Sequence, residues 1–165
     1  MRYLWITLFV LASSCSNTDT DVTTTNKIDT TTQTSSSVNR MDTACYLAVQ
    51  NRDSILLQLY TNDSTVTGLM QYDNFEIDGN IGTVQAIRHD NRIEGYFRFF
   101  AEGMWSVREI IFEEQGNQLR QAQTDNMIYS GDTARFQNKE DVLFEQQRVF
   151  QKWDCGQLHF DVLPQ

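Results

Sequence analysis

Proline is nearly missing from this chain: the only one is Pro164, one residue from the last. Proline removes a ladder hydrogen bond from a sheet, so its absence leaves every segment of the body free to be a central strand. Histidine is almost as scarce. His89 falls in a turn and His159 in the C-terminal tail, and neither has a cysteine or second histidine at metal-ligand spacing. No nucleophile elbow, phosphate loop or metalloprotease helix motif occurs. The chain therefore reads as a non-enzyme that needs no metal and no cofactor. Basic residues are outnumbered, 13 against 22 acidic, for a net charge of −9. Such a body repels nucleic acid and anionic lipid head groups, which disfavours both as partners.

The start of the chain is the one strongly patterned stretch. Met1-Arg2 gives a positive opening, Tyr3 to Val10 is apolar, and Leu11-Ala12-Ser13-Ser14-Cys15 follows. An apolar run of about nine residues is too short to span a bilayer as a helix, which takes roughly 20, and it has the form of a secretory signal peptide over 1–14. The five residues ending in Cys15 resemble the lipobox of bacterial lipoproteins, in which the cysteine carries acyl chains of the palmitate kind as the first residue of the mature protein. The resemblance implies a lipid attachment at Cys15, membrane association through that lipid, and an address in the cell envelope. The other reading is an ordinary signal peptide cut near Ser14. Removing 1–14 takes away one arginine and no acid, leaving 12 basic and 22 acidic residues, a charge of −10.

Three cysteines are an awkward number for an exported protein. Committing Cys15 to lipid leaves Cys45 and Cys155, at the two ends of the folded region, in a compartment where disulfides persist. A Cys45–Cys155 bridge is expected. Residues 16–37 hold 13 Ser or Thr, with Asp19, Asp21, Lys27 and Asp29 as the charges and no aromatic residue. A segment so poor in apolar side chains does not offset its ordering entropy, so 15–43 reads as a lipidated cysteine followed by a flexible tether. As a coil it would hold the domain about 25–30 Å from the lipid. Ser16 is unlike an inner-membrane retention signal, and Asp19 and Asp21 resemble the acidic export tags of some surface lipoproteins. The outer membrane is the expected site, facing either the periplasm or outwards.

From Ala44 to the end, short apolar runs alternate with turn clusters every 8–12 residues, the signature of a meandering all-β domain. Ile55, Leu57 and Leu59 share one face of a strand, Val66, Gly68, Met70 and Tyr72 one face of the next, and Ile93, Gly95, Phe97, Phe99 and Ala101 a third. Glycines in mid-strand, at Gly68, Gly82 and Gly95, weaken a flat sheet but permit sharp bending. The expected fold is a small, strongly curved antiparallel sheet or a barrel of roughly eight strands. Met127-Ile128-Tyr129 and Ala134-Arg135-Phe136 are weaker strand candidates. Asn138 to Trp153 reads either as a helix capped by Asn138 or as strands from Val142 to Glu145 and Arg148 to Trp153. With Cys155 bridged to Cys45, a closing strand beside the first is the simpler geometry.

The motifs Ala44-Cys45-Tyr46, Thr67-Gly68-Leu69-Met70-Gln71-Tyr72, Asp78-Gly79-Asn80-Ile81-Gly82, Ile93-Glu94-Gly95-Tyr96-Phe97, Glu102 to Glu109 and Trp153-Asp154-Cys155 resemble those of a group of uncharacterised small lipoproteins of Gram-negative bacteria. The resemblance covers most of 44–155 and implies a compact β-domain, similar in shape to small lipocalin-like barrels. It carries no activity.

Two segments invite a binding role. The loop from Asp73 to Asn80 is rich in oxygen, but an EF-hand reading from Glu76 fails where Ile81 and Ile87 stand in the Gly and Glu positions. It reads better as a hairpin connection with Asp78-Gly79 as its turn. Glu102 to Glu109 combines charge with a large aromatic: Trp105 would be a lid or a plug at one barrel end, with Glu102 or Arg108 as a polar anchor, or Arg108 paired to a cross-strand carboxylate. Tyr72, Glu76, Glu102, Trp105 and Arg108 are the candidate contacts for a ligand or partner. A barrel of about eight strands is either filled by side chains or holds one small ligand, and the aromatics here favour filling. The expected function is a monomeric, lipid-anchored binding or envelope-interaction module. Its alternatives are a carrier of a small apolar ligand and a protein inhibitor of a cell-envelope lytic enzyme.

Overall fold

The computed structural model describes residues 41–163. The expected signal peptide, the expected lipid attachment at Cys15 and nearly all of the expected tether lie outside the described residues. Within them the chain forms ten strands: β1 Asp42–Gln50, β2 Asp53–Asn62, β3 Thr65–Asp73, β4 Asn80–His89, β5 Arg92–Ala101, β6 Met104–Gln115, β7 Gln118–Ala122, β8 Met127–Ser130, β9 Thr133–Phe136 and β10 Phe144–Trp153. The first strand takes in Asp42 and Thr43, so the domain starts two residues earlier than the composition suggested.

Strands β1 to β7 form an antiparallel meander, and β10 returns to pair with both β7 and β1. Because β5 also pairs with β6, the circuit closes without a free edge, as in an up-and-down, lipocalin-like barrel of eight strands. The β8–β9 hairpin is an addition. It joins β6 by a short parallel pairing, Val107 to Thr133 and Arg108 to Ala134, where β7 no longer runs beside it. Asn138 to Trp153 contains no helix. Asn138 does act as a cap, but of a turn: its Oδ1 accepts from the Glu140 N–H at 3.1 Å, and β10 starts only at Phe144.

The period of two decides what fills the barrel. Leu57, Leu59, Met70, Phe97, Ile110, Phe112, Leu119 and Phe150 point inward and are buried. Glycine on an inward face is what lets the wall coil around them. A side-chain carbon at Gly82 would overlap the Arg98 carbonyl and the Phe99 Cα across the strand pair, so only glycine permits that approach. A second, smaller core lies on the outside of the wall. Ile111 and Ala122 face away from the barrel and are covered by Phe136, with Met127, Val142 and Phe144 against them. This gives the β8–β9 hairpin and the segment leading to β10 a reason to fold down.

The two ends of the barrel differ. One carries three two-residue hairpins, at Asp63-Ser64, Asp90-Asn91 and Gly116-Asn117, together with the start of β1 and the end of β10. There the inward-facing Arg88 and Glu114 close the barrel with an ion pair at 3.0 Å. Just past β10, Cys155 in a single 3₁₀ turn (Cys155–Gln157) is bridged to Cys45, with Cα atoms 5.2 Å apart. The tail beyond reaches β3, where Gln71 Nε2 donates to Asp161 Oδ2 at 2.6 Å and the Asp161 N–H donates to Gln71 Oε1 at 2.8 Å.

Candidate functional site

The opposite end carries the two-residue turn Asn51-Arg52 between β1 and β2 and, beyond it, three segments: the longer loop 74–79 between β3 and β4, the turn Glu102-Gly103 between β5 and β6, and the tip of the β8–β9 hairpin at Gly131-Asp132. These three follow one another around the mouth. Each presents a large apolar side chain to solvent: Ile77 is 71% exposed, Met104 66% and Tyr129 77%. Single exposed apolar residues are ordinary; what singles out these three is that they stand on successive segments around one mouth.

Backbone conformation sets this rim apart as well. Asn51, Asp63 and Asp90 take the left-handed conformation in turns, as Asn and Asp tolerate. Glu76 and Glu102 do so too, with φ of 64° and 52°, and glutamate gains no local hydrogen bond to offset the clash of its Cβ. Strain of this kind gathers at functional sites. Both glutamates stand on the rim.

Inside the mouth, Tyr72, Phe99, Ser106 and Arg108 converge. The Arg108 guanidinium carbon lies 5.1 Å from the centre of the Phe99 ring and 5.8 Å from that of Tyr72. Tyr72 is also tilted against Phe97, ring centres 6.0 Å apart, and its hydroxyl meets the Gln121 amide across the interior. Among the described residues no carboxylate stands within ion-pair distance of Arg108.

Of the five sequence candidates, the structure thus brings Tyr72 and Arg108 together inside the mouth and leaves Glu76 and Glu102 exposed on its rim. Trp105 is neither lid nor plug. On β6 the inward positions are even-numbered, so Trp105 faces outward, directly across from Phe100, with ring centres 5.5 Å apart and the Arg98 guanidinium 4.3 Å from its ring. Nor is Arg108 paired with a cross-strand carboxylate, because its register partner on β5 is Phe97.

Sequence reasoning missed a buried polar joint outside the barrel. Glu109, 3% exposed, accepts from the Phe136 N–H at 2.9 Å and from Lys139 Nζ at 2.6 Å. It ties the hairpin and the segment after it to the wall. Its only sequence signal was an acidic residue directly before the apolar run Ile110-Ile111-Phe112. The hydrogen bond to Glu109, with the Glu109 and Glu94 charges adding to it, raises the Lys139 pKa.

The fold and site define a filled eight-stranded barrel with one dressed rim. Comparison with known proteins finds no matching family model, no matching curated protein and no matching solved structure.

Proposed function

We propose that this protein is a lipid-anchored, non-enzymatic interaction module of the bacterial cell envelope, held at the outer membrane through Cys15, which engages an envelope protein with the rim formed by loop 74–79, the Glu102-Gly103 turn and the β8–β9 tip. The observation that carries this reading is the filled barrel. With Leu57, Met70, Phe97, Phe112 and Phe150 fully buried in its interior, the centre of the barrel has no room for a ligand, and the rim is where exposed apolar side chains and backbone strain coincide. β1 begins at the hairpin end, opposite the rim.

Two measurements test it. A photo-crosslinking amino acid in place of Met104 or Tyr129 should capture one discrete envelope protein in living cells, while the same probe at Asn91 or Asn117 should not. Equal capture from both ends would dismiss the rim. Separately, Cys15→Ala should abolish fatty-acid labelling and release the protein from membranes, and label persisting on the variant would dismiss the anchor.

The loop 74–79, with Ile77 exposed, favours one more specific version, inhibition of a cell-envelope lytic enzyme by contact through that loop. Purified full chain slowing wall digestion by such an enzyme, with relief on Ile77→Asp, is the expected result. No slowing at a large molar excess would remove this version alone.

A further inference from the structure

Arg88, Arg108 and Arg148 take inward positions on the barrel wall, and they are treated differently: Arg148 stands 4.0 Å from Glu145 of its own strand. Arg88 is answered by Glu114 at 3.0 Å. Arg108 has no such partner among the described residues, although it too points inward among apolar neighbours. Its place beside the Phe99 and Tyr72 rings offers a cation–π contact, which steadies the charge. That contact occupies none of the five N–H donors of a guanidinium, whose fork matches a carboxylate with two parallel hydrogen bonds.

Beside those donors is a cavity of about 170 Å³ lined by Phe99, Ser106, Val107, Arg108, Tyr129 and Ala134. An apolar cavity of about 150 Å³ admits a benzene ring, so this one has room for a ring and little more. Its walls are apolar and polar in about equal measure, with Phe99, Val107, Tyr129 and Ala134 on the apolar side and the Ser106 hydroxyl and the guanidinium as donors. Asp132 also borders it, with its Oδ1 bound by the Thr133 hydroxyl at 3.0 Å. A second negative charge on a ligand would meet that carboxylate.

We propose that the mouth of the barrel is a binding site for a small monocarboxylate with a ring-sized apolar body, the carboxylate held by Arg108 and the ring lying against Phe99 and Tyr129. The unpaired cation supplies the recognition, the cavity sets the size, and Asp132 discriminates against dianions. The site needs neither the lipid nor a protein partner, so its test is independent of the crosslinking and labelling above.

Phenylacetate is the probe, titrated into the full chain and followed by amide chemical shifts, with neutral phenylacetamide as the isosteric control. Saturable binding is expected, with shifts at Ser106, Arg108 and Tyr129, weakened at least about tenfold on passing to the amide or to Arg108→Gln, as for loss of a charge-assisted bidentate pair. Arg108→Lys should retain part of the affinity, and Asp132→Asn should tighten it. Equal affinity for acid and amide, unchanged binding by Arg108→Gln, or no saturation by about 10 mM would each overturn the site. Should Arg108→Gln fail to fold, the comparison of acid with amide, together with Arg108→Lys, decides.

Discussion

Tyr72 on β3 and Gln121 on β7, 49 residues apart, satisfy each other inside the barrel: the hydroxyl lies 3.2 Å from Oε1 and 3.1 Å from Nε2 of the amide. Both residues are buried. The pair staples opposite walls just beneath the mouth and supports the ring beside Arg108. Tyr72→Phe keeps the packing but leaves the Gln121 amide unpaired, at a cost of about 1–3 kcal/mol. Adding Gln121→Met should recover part of that loss in urea unfolding. Additive losses in the double variant would show that the two groups do not depend on each other.

Glu102 and Gly103 both have positive φ, 52° and 79°, the requirement of the tight hairpin turn that favours Asn-Gly. Glu102→Asn should therefore stabilise the protein by about 1 kcal/mol, roughly 4 °C in melting temperature. The same variant should weaken capture from a probe at Met104 if the strain is kept for partner contact. A lower melting temperature would refute the strain argument.

Alkaline pH should loosen the fold through two groups. Burial, followed by the Glu114 carboxylate, raises the Tyr46 pKa, and the hydrogen bond to Glu109 raises that of Lys139. In both the folded state holds the proton more tightly than the unfolded chain. Their stabilisation is therefore complete below the unfolded values of about 10 and is lost as pH rises through the higher folded values. Urea midpoints should be level from pH 8 to about 9.5 and fall beyond it, with Tyr46→Phe and Lys139→Gln each flattening the fall. A midpoint that stays level to pH 11 would contradict both assignments.

The Cys45–Cys155 bridge spans 110 residues, so its removal should cost no more than about 4–5 kcal/mol in the chain-entropy account. Cys155 lies beyond β10, and the β1–β10 ladder holds Cys45 opposite Trp153 without it. Reduced protein should keep a strand-dominated circular dichroism spectrum while its unfolding midpoint falls. Loss of that spectrum on reduction at 25 °C would mean that the bridge, not the ladder, closes the barrel.

Most of the fold was legible before any coordinates because strand periodicity is local. Ile55, Leu57 and Leu59, or Phe97 and Phe99, declare a buried face by alternation alone, and the mid-strand glycines declare curvature. The Cys45–Cys155 pairing followed from counting. What the sequence left open was whatever depends on which residue stands opposite which. The side of the wall on which Trp105 falls is a matter of register, and a shift of one residue exchanges lid for outer surface. Whether 138–153 became helix or strand was decided by an unfilled place between β7 and β1, a vacancy that exists only once seven strands have curled. The β8–β9 hairpin was a weak candidate because its strands are only four residues long, and what holds Met127 and Phe136 down is the outward Ile111 and Ala122 of the barrel wall. In the sequence Arg108 stood equally as a polar anchor for a ligand or as half of a cross-strand ion pair. Its lack of a carboxylate partner among the described residues is a property of the closed barrel, where the residue across from it is Phe97 and the rings of Phe99 and Tyr72 lie beside it.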